Sequence, residues 1–211
     1  MSSRGLILDR VRRNQPAATP MPEVPLFDTA STSAGALSGT TPAATSAATP
    51  AAFSAALARM GGVFLDAPAK GSLDHLIHQR FPQARVIVSA TPEVQGTRPL
   101  ADAQHPALLD DVDVGVVRAL FGVAETGSVY LSETEFIVNA LGFLPQHLVV
   151  LLDPASIVPN LHHAYQHRGF FEARYAALMT GPSATADIEG VLIRGAQGIR
   201  TMTVISSRRP T

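Results

Sequence analysis

The chain has no cysteine in its 211 residues. That excludes a disulfide framework, a thiolate metal site and an iron–sulfur cluster held by this polypeptide, and it suits a cytoplasmic protein. Charge is sparse too: 16% of residues are Asp, Glu, Lys or Arg and the formal net charge is -1. With no basic block anywhere, nucleic acid is not expected as a partner. No apolar run approaches the length that crosses a bilayer. Leu6-Ile7-Leu8 is too short for a signal-peptide core, and Arg12-Arg13 leads into Asn14-Gln15-Pro16 rather than an apolar stretch. A soluble, intracellular protein is the expectation.

Several stereotyped catalytic devices are missing as well. There is no Gly-x-Gly-x-x-Gly after a strand, no phosphate loop ending Gly-Lys-Ser/Thr, no His-Glu-x-x-His and no Gly-x-Ser-x-Gly elbow. The common dehydrogenase, kinase, zinc-protease and hydrolase readings fall away with them.

What is present is ample apolar material, 46% of the chain, enough for one sizeable core. Three regions differ in composition. Residues 1–13 read as a short amphipathic docking helix, with Leu8 and Val11 on one face and Arg4, Asp9, Arg12 and Arg13 solvated. Residues 14–50 are mostly Ala, Thr, Ser and Pro, so they bury too little to offset ordering and read as a flexible segment; Pro22-Glu23-Val24-Pro25-Leu26-Phe27 is its one apolar spot. Residues 51–211 carry the α/β domain.

Within that domain, helical spacing over Phe53–Met60 stops at Gly61-Gly62, and Val63-Phe64-Leu65 reads as a strand. Ser72 caps a helix running through Phe81, and Arg85–Ser89 is a strand, followed by an irregular stretch from Thr91 to Pro106. Asp113–Ala119 and His147–Leu152 are apolar strands of the buried, parallel kind. Glu133–Leu141 reads as a helix capped by Ser132, and a second helix runs from Ile157 or Pro159 to His167. Arg174–Met179 reads as a strand, Thr180–Ser183 as a turn, Ala186–Leu192 as a helical turn and Thr201–Ile205 as the last strand. Strands alternating with helices imply a mainly parallel sheet covered on both faces.

The organising stretch is Gly122-Val123-Ala124-Glu125-Thr126-Gly127-Ser128-Val129-Tyr130-Leu131. It reads as a glycine-bounded turn with a short helical piece between two strands. Glu125 then lies at a strand mouth, the usual address of an α/β site, or simply caps the turn. The second polar cluster is Gly181-Pro182-Ser183-Ala184-Thr185-Ala186-Asp187-Ile188-Glu189. If it enters a helix, its free N–H groups suit a carboxylate or phosphate; Asp187 and Glu189 equally suit a helix's first turn. His163 and His167 are four apart beside His162, but this spacing arises easily by chance and no third ligand is evident, so no metal is assigned.

Ala124-Glu125-Thr126-Gly127-Ser128, then Leu144-Pro145-Gln146-His147-Leu148-Val149-Val150, then Gly181–Glu189 resemble the successive motifs of the lactate utilization (LUD) domain family, most of all its lactate utilization protein C group. Gly195-Ala196-Gln197-Gly198 before an apolar strand matches the last motif in outline. The resemblance implies a three-layer α/β/α fold like that of glucosamine-phosphate isomerase, ribose-phosphate isomerase and CoA-transferases. It also implies a part in oxidising L-lactate to pyruvate beside two partners, one an iron–sulfur protein, with no cofactor on this chain. Ala184 stands where the family usually has a basic residue, and Gln197 and Ile199 where Gly-x-His-Gly-Pro is frequent, so neither of those contacts is carried over.

The expected role is an accessory or ligand-binding subunit. Glu125 is its polar or acid–base residue, and Thr126, Gly127, Ser128, Ser183, Thr185 and Asp187 line a site for a small carboxylate. The alternatives are an enzyme on an acyl- or phospho-ligand with Glu125 as base or nucleophile, and a non-catalytic scaffold.

Overall fold

The structure, a computed structural model, describes residues 3–17, 19–20, 45–68, 72–103, 105–186, 192–195 and 197–209. Six parallel strands form the central sheet: β1 (Val63–Asp66), β2 (Ile87–Ser89), β3 (Arg98–Pro99), β4 (Val114–Arg118), β7 (His147–Leu152) and β12 (Thr201–Ser206), in the order β1-β12-β7-β4-β2-β3. The apolar runs fit this placement, because inner parallel strands lose water on both faces. Leu148, Val149, Val150, Leu151 and Leu152 are fully buried. Their side chains alternate between two cores. Leu148, Val150 and Leu152 join Val117, Met202 and Val204 on one face; Val149 and Leu151 join Val114, Val116 and Ile205 on the other.

Helix α3 (Leu73–Arg80) covers the second face through Ile77. Ser72 caps it, its Oγ accepting the His75 N–H at 3.1 Å. Helix α2 (Thr45–Arg59) covers the first face with the fully buried Phe53 and Leu57. It begins inside the segment read as flexible; Pro22–Phe27 and the rest of 21–44 lie outside the described residues. Helix α1 (Ser3–Arg13) buries none of its residues, and Leu6, Ile7 and Val11 are more than half exposed.

Beside α2 lies a second sheet, ordered β8-β5-β6-β9, from β5 (Phe121–Val123), β6 (Ser128–Ser132), β8 (Ile157–Val158) and β9 (Ala176–Met179). Here the sequence reading needs correction. Gly122 is a strand residue, and Phe121–Ser132 is an antiparallel hairpin pairing Val123 with Ser128. Glu125 therefore sits on a hairpin turn of the second sheet and not at the end of a central-sheet strand. The short spacing between the two β-branched runs allows only a hairpin, since a parallel return needs a long crossover.

Two expected helices also differ. The helix after Ser132 is a single turn, α4 (Glu133–Phe136), closed by a Ser132–Glu135 capping box and stopped at Ile137, which has φ 61°. Residues Asn139–Gly142 form a 3-10 turn instead. The Ile157–His167 stretch begins as strand β8 and contains only α5 (Leu161–Ala164), followed by α6 (Gly169–Glu172). Of the Ala186–Leu192 helical turn only the two end residues are described, in β10 (Ala184–Ala186) and β11 (Leu192–Arg194), which pair antiparallel; residues 187–191 lie outside the described residues. No helix among the described residues is long and apolar enough to cross a membrane.

Candidate functional site

The two polar clusters meet. β6 runs antiparallel to β9, setting Val129 opposite Met179, so Ser128 and Thr180 are neighbours across the strand ends. Ser128 Oγ is hydrogen-bonded to Thr180 Oγ1 and, at 2.8 Å, to Thr126 Oγ1. This hydroxyl chain, with Ser128 buried, ties the hairpin turn to the Gly-Pro-Ser turn. Both turns also seat on the end of α2. A Cβ on Gly127 (φ 68°) would lie 2.2 Å from the Leu57 N, and one on Gly181 (φ 66°) would lie 2.5 Å from the Met60 O. Only glycine allows both the backbone angle and the approach.

Beside this junction is a cavity of about 260 Å³ lined by Phe143, Thr180, Pro182, Ser183, Gln197 and Gly198, among others. Ser183 N donates to Ile199 O at 2.9 Å and Ser183 O accepts from Gly195 N at 2.6 Å, which fixes the loop. Thr185 is exposed on β10, opposite Ile193. Asp187 lies outside the described residues. Glu125 is exposed; its Oε2 accepts the Leu161 N–H at 3.2 Å, at the start of α5. The structure thus brings Thr126, Gly127, Ser128 and Ser183 around one junction, with Glu125 turned to a neighbouring helix.

The histidines are apart in role. His163 Nδ1 lies 2.7 Å from Asn160 Oδ1, and the His167 ring packs on Phe121 at 4.8 Å. Among the described residues no cluster of three His, Asp or Glu could hold a metal ion.

A second concavity, of about 330 Å³, was not picked out from sequence. It is lined by Ala90, Thr91, Pro92, Glu93, Arg118, Thr134, Glu135 and Arg209. Arg118 ends β4, Ala90–Glu93 follow β2 and Arg209 follows β12, so the cleft lies at the carboxyl edge of the parallel sheet, where α/β ligands bind. Arg118 Nε donates to Glu93 Oε1 at 2.5 Å, and its Nη1 donates to Ser207 O at 3.0 Å. Glu93 Oε2 is buried with no hydrogen-bond partner among the described residues. An orphaned carboxylate oxygen beside a cleft calls for a donor. The signal was there: Arg118 is the one charge closing Val114–Val117, and Glu93 follows a predicted strand.

The family model described as LUD domain matches residues 56–206. A curated relative, "Lactate utilization protein C" of Geobacillus thermodenitrificans, is 27% identical over 136 residues, 62% of this chain and 54% of its own. "Uncharacterized protein YkgG" of Escherichia coli is 28% identical over 106 residues, 47% of this chain and 46% of its own. The chain spans about half the length of the curated relatives it matches. The crystal structure of a DUF162 family protein from Deinococcus radiodurans aligns with a TM-score of 0.60 at 18% identity, covering 76% of this chain and 97% of that one; this is a likeness of fold.

Proposed function

Because the chain belongs to the LUD domain family and is similar to a lactate utilization protein C, we propose that it has a role in lactate utilization, as an accessory, ligand-binding subunit of an L-lactate to pyruvate oxidation system. Electrons leave through an iron–sulfur protein partner, and a second subunit completes the assembly. The observation that carries the ligand-binding part is Glu93 Oε2, buried at the carboxyl-edge cleft with no hydrogen-bond partner among the described residues.

A 2-hydroxy carboxylate matches that lining. Its hydroxyl donates to Glu93 Oε2, and its carboxylate faces Arg209, an exposed cation with no side-chain partner among the described residues. Thr91 and Thr134 supply further hydroxyls. Pyruvate has no hydroxyl to give Glu93, so the cleft favours lactate, since a site built around a buried polar group rejects the analogue that leaves it unpaired. The Ser183 cavity is the second seat for a small carboxylate, favoured by the convergence of Thr126, Ser128, Thr180 and Ser183 on one junction.

Calorimetric titration with L-lactate and pyruvate tests the reading, together with a pull-down from lactate-grown cells assayed for iron and lactate-oxidising activity. Lactate binding that is lost in Glu93→Gln or Arg209→Gln and kept in Ser183→Ala supports the carboxyl-edge cleft; the opposite pattern moves the ligand to the Ser183 cavity. No binding by the wild type, and no iron-containing partner, would sink the proposal.

A further inference from the structure

At the opposite, amino edge of the central sheet is a larger cleft, about 500 Å³, lined by Arg80, Phe81, Asp113, Gln146, His147 and Arg200, among others. It collects the residues that precede or open three neighbouring strands: Asp113 before β4, His147 at the start of β7 and Arg200 before β12. α3 contributes its last residue, Arg80. The cleft shares no lining residue with the carboxyl-edge site.

Its chemistry is cationic. The side chains of Arg80 and Arg200 are exposed, and among the described residues neither makes a hydrogen bond or ion pair. Asp113 is the one carboxylate in the lining, and it is engaged: its Oδ2 accepts the Arg85 and Val86 N–H groups at 2.7 and 2.9 Å. His147 is fixed between two contacts. Its ring stacks on Phe81 with centroids 4.7 Å apart, and its Nδ1 lies 2.8 Å from Thr201 Oγ1. A rigid imidazole beside two unpaired guanidinium groups, in a concavity of small-molecule size, is suited to a ligand carrying two negative charges. Guanidinium forks match phosphate oxygens two at a time, and a phosphate accepts more such bonds than a single carboxylate.

We propose that this cleft is a second ligand site, one that binds the phosphoryl group of a small organic phosphate through Arg80 and Arg200, with His147 protonating as the anion arrives. The ligand-free state favours neutral imidazole. Burial, and then the charges of Arg200 and Arg80, push His147 below the ordinary histidine range, against the pull of Asp113. A bound dianion offsets both guanidinium charges, so binding carries proton uptake with it. The volume leaves room beyond one phosphate for the organic part of the ligand.

The test is titration of the full chain with pyrophosphate and, separately, with adenosine monophosphate, following the His147 ring signals by NMR across pH. Binding by either probe is expected to move the His147 titration upward. Arg80→Gln and Arg200→Gln should each weaken binding about tenfold or more, and unfolding curves should show both variants folded. Tighter binding of the nucleotide identifies the Phe81–His147 stack as its base platform; equal binding assigns recognition to the phosphoryl group alone. A His147 titration unmoved at probe concentrations on the order of 10 mM overturns the site, as does binding that both arginine variants retain in full. Lactate binding at the carboxyl-edge cleft is untouched by either outcome.

Discussion

Arg118 and Glu93 form the most enclosed ion pair among the described residues: their side chains are 10% and 13% exposed, and Nε meets Oε1 at 2.5 Å. Arg118 ends β4 while Glu93 lies in the segment after β2, and Ser207 holds the guanidinium from the far side. Removing one partner leaves an uncompensated charge in a half-dry site. Arg118→Ala is expected to lower unfolding free energy by about 3 kcal/mol, read from urea denaturation. Arg118→Met combined with Glu93→Gln should recover part of that loss. A double-variant loss equal to the sum of the separate Arg118→Met and Glu93→Gln losses would show that the pair is not coupled.

Gly127→Ala tests the seat of the hairpin turn on α2. The new methyl meets the Leu57 backbone at a backbone angle of φ 68°, so neither rotation nor side-chain movement relieves it. A loss of at least about 2 kcal/mol is expected. A near-neutral result in thermal unfolding would mean that α2 shifts freely.

Glu133 sets an acid limb. Its carboxylate accepts the Arg174 and Tyr175 N–H groups at 2.9 and 3.0 Å, which hold its carboxyl below the usual glutamate range. A depressed folded value means that its stabilising contribution is present above the unfolded glutamate value and is lost as pH falls through the folded one. Glu133→Gln should flatten the stability profile in that acid window and leave it parallel to wild type at neutral pH.

His147 acts in a higher window with the same sign. Because the folded imidazole is pushed below its ordinary value, its contribution is complete above the unfolded histidine value and falls as pH drops toward the folded one. The His147→Gln variant should lose less stability than wild type on acidification from neutral pH. Pyrophosphate should reduce the wild-type loss if it occupies the adjoining cleft.

Glu125→Gln separates a cap from a catalyst. Among the described residues the carboxylate accepts one hydrogen bond, from the Leu161 N–H, and an exposed cap of this kind is worth about 1 kcal/mol or less. Stability should change by no more than that. Lactate oxidation by the reconstituted system is the second readout, and a large fall there at unchanged stability would restore Glu125 to the site.

The inner strands of the central sheet were legible as apolar runs, and His147–Leu152 needed no tertiary information to be read as one; the edge strand β3 (Arg98–Pro99), inside the stretch read as irregular, has no apolar pattern to announce it. The second sheet was harder. Phe121–Val123 is short, glycine-split and aromatic, and its pairings with Ser128–Tyr130 and Ile157–Val158 make it a strand. The helices read at 133–141 and 157–167 failed for a related reason: their apolar residues are spent on packing short turns, Phe136 and Leu141 into the core with Val117 and Leu148 and Ala164 against Phe121 and Tyr130. At the candidate site, motif residues Ser128 and Ser183 could be named from sequence. Glu93, Arg118 and Arg209 could not be grouped, because only the parallel topology brings the ends of β2, β4 and β12 to one edge.

That topology also has a temporal consequence. β12 is inserted between β1 and β7, pairing Val63 with Thr203 on one side and His147 with Thr201 on the other. On the ribosome, β1 and β7 emerge well before it. Until residue 206 clears the exit tunnel, both strands present an open apolar edge with no neighbour, the kind of surface that recruits chaperones or other nascent chains. The central sheet is therefore completed only once β12 has emerged, and a chain halted before β12 keeps both of these edges open to association.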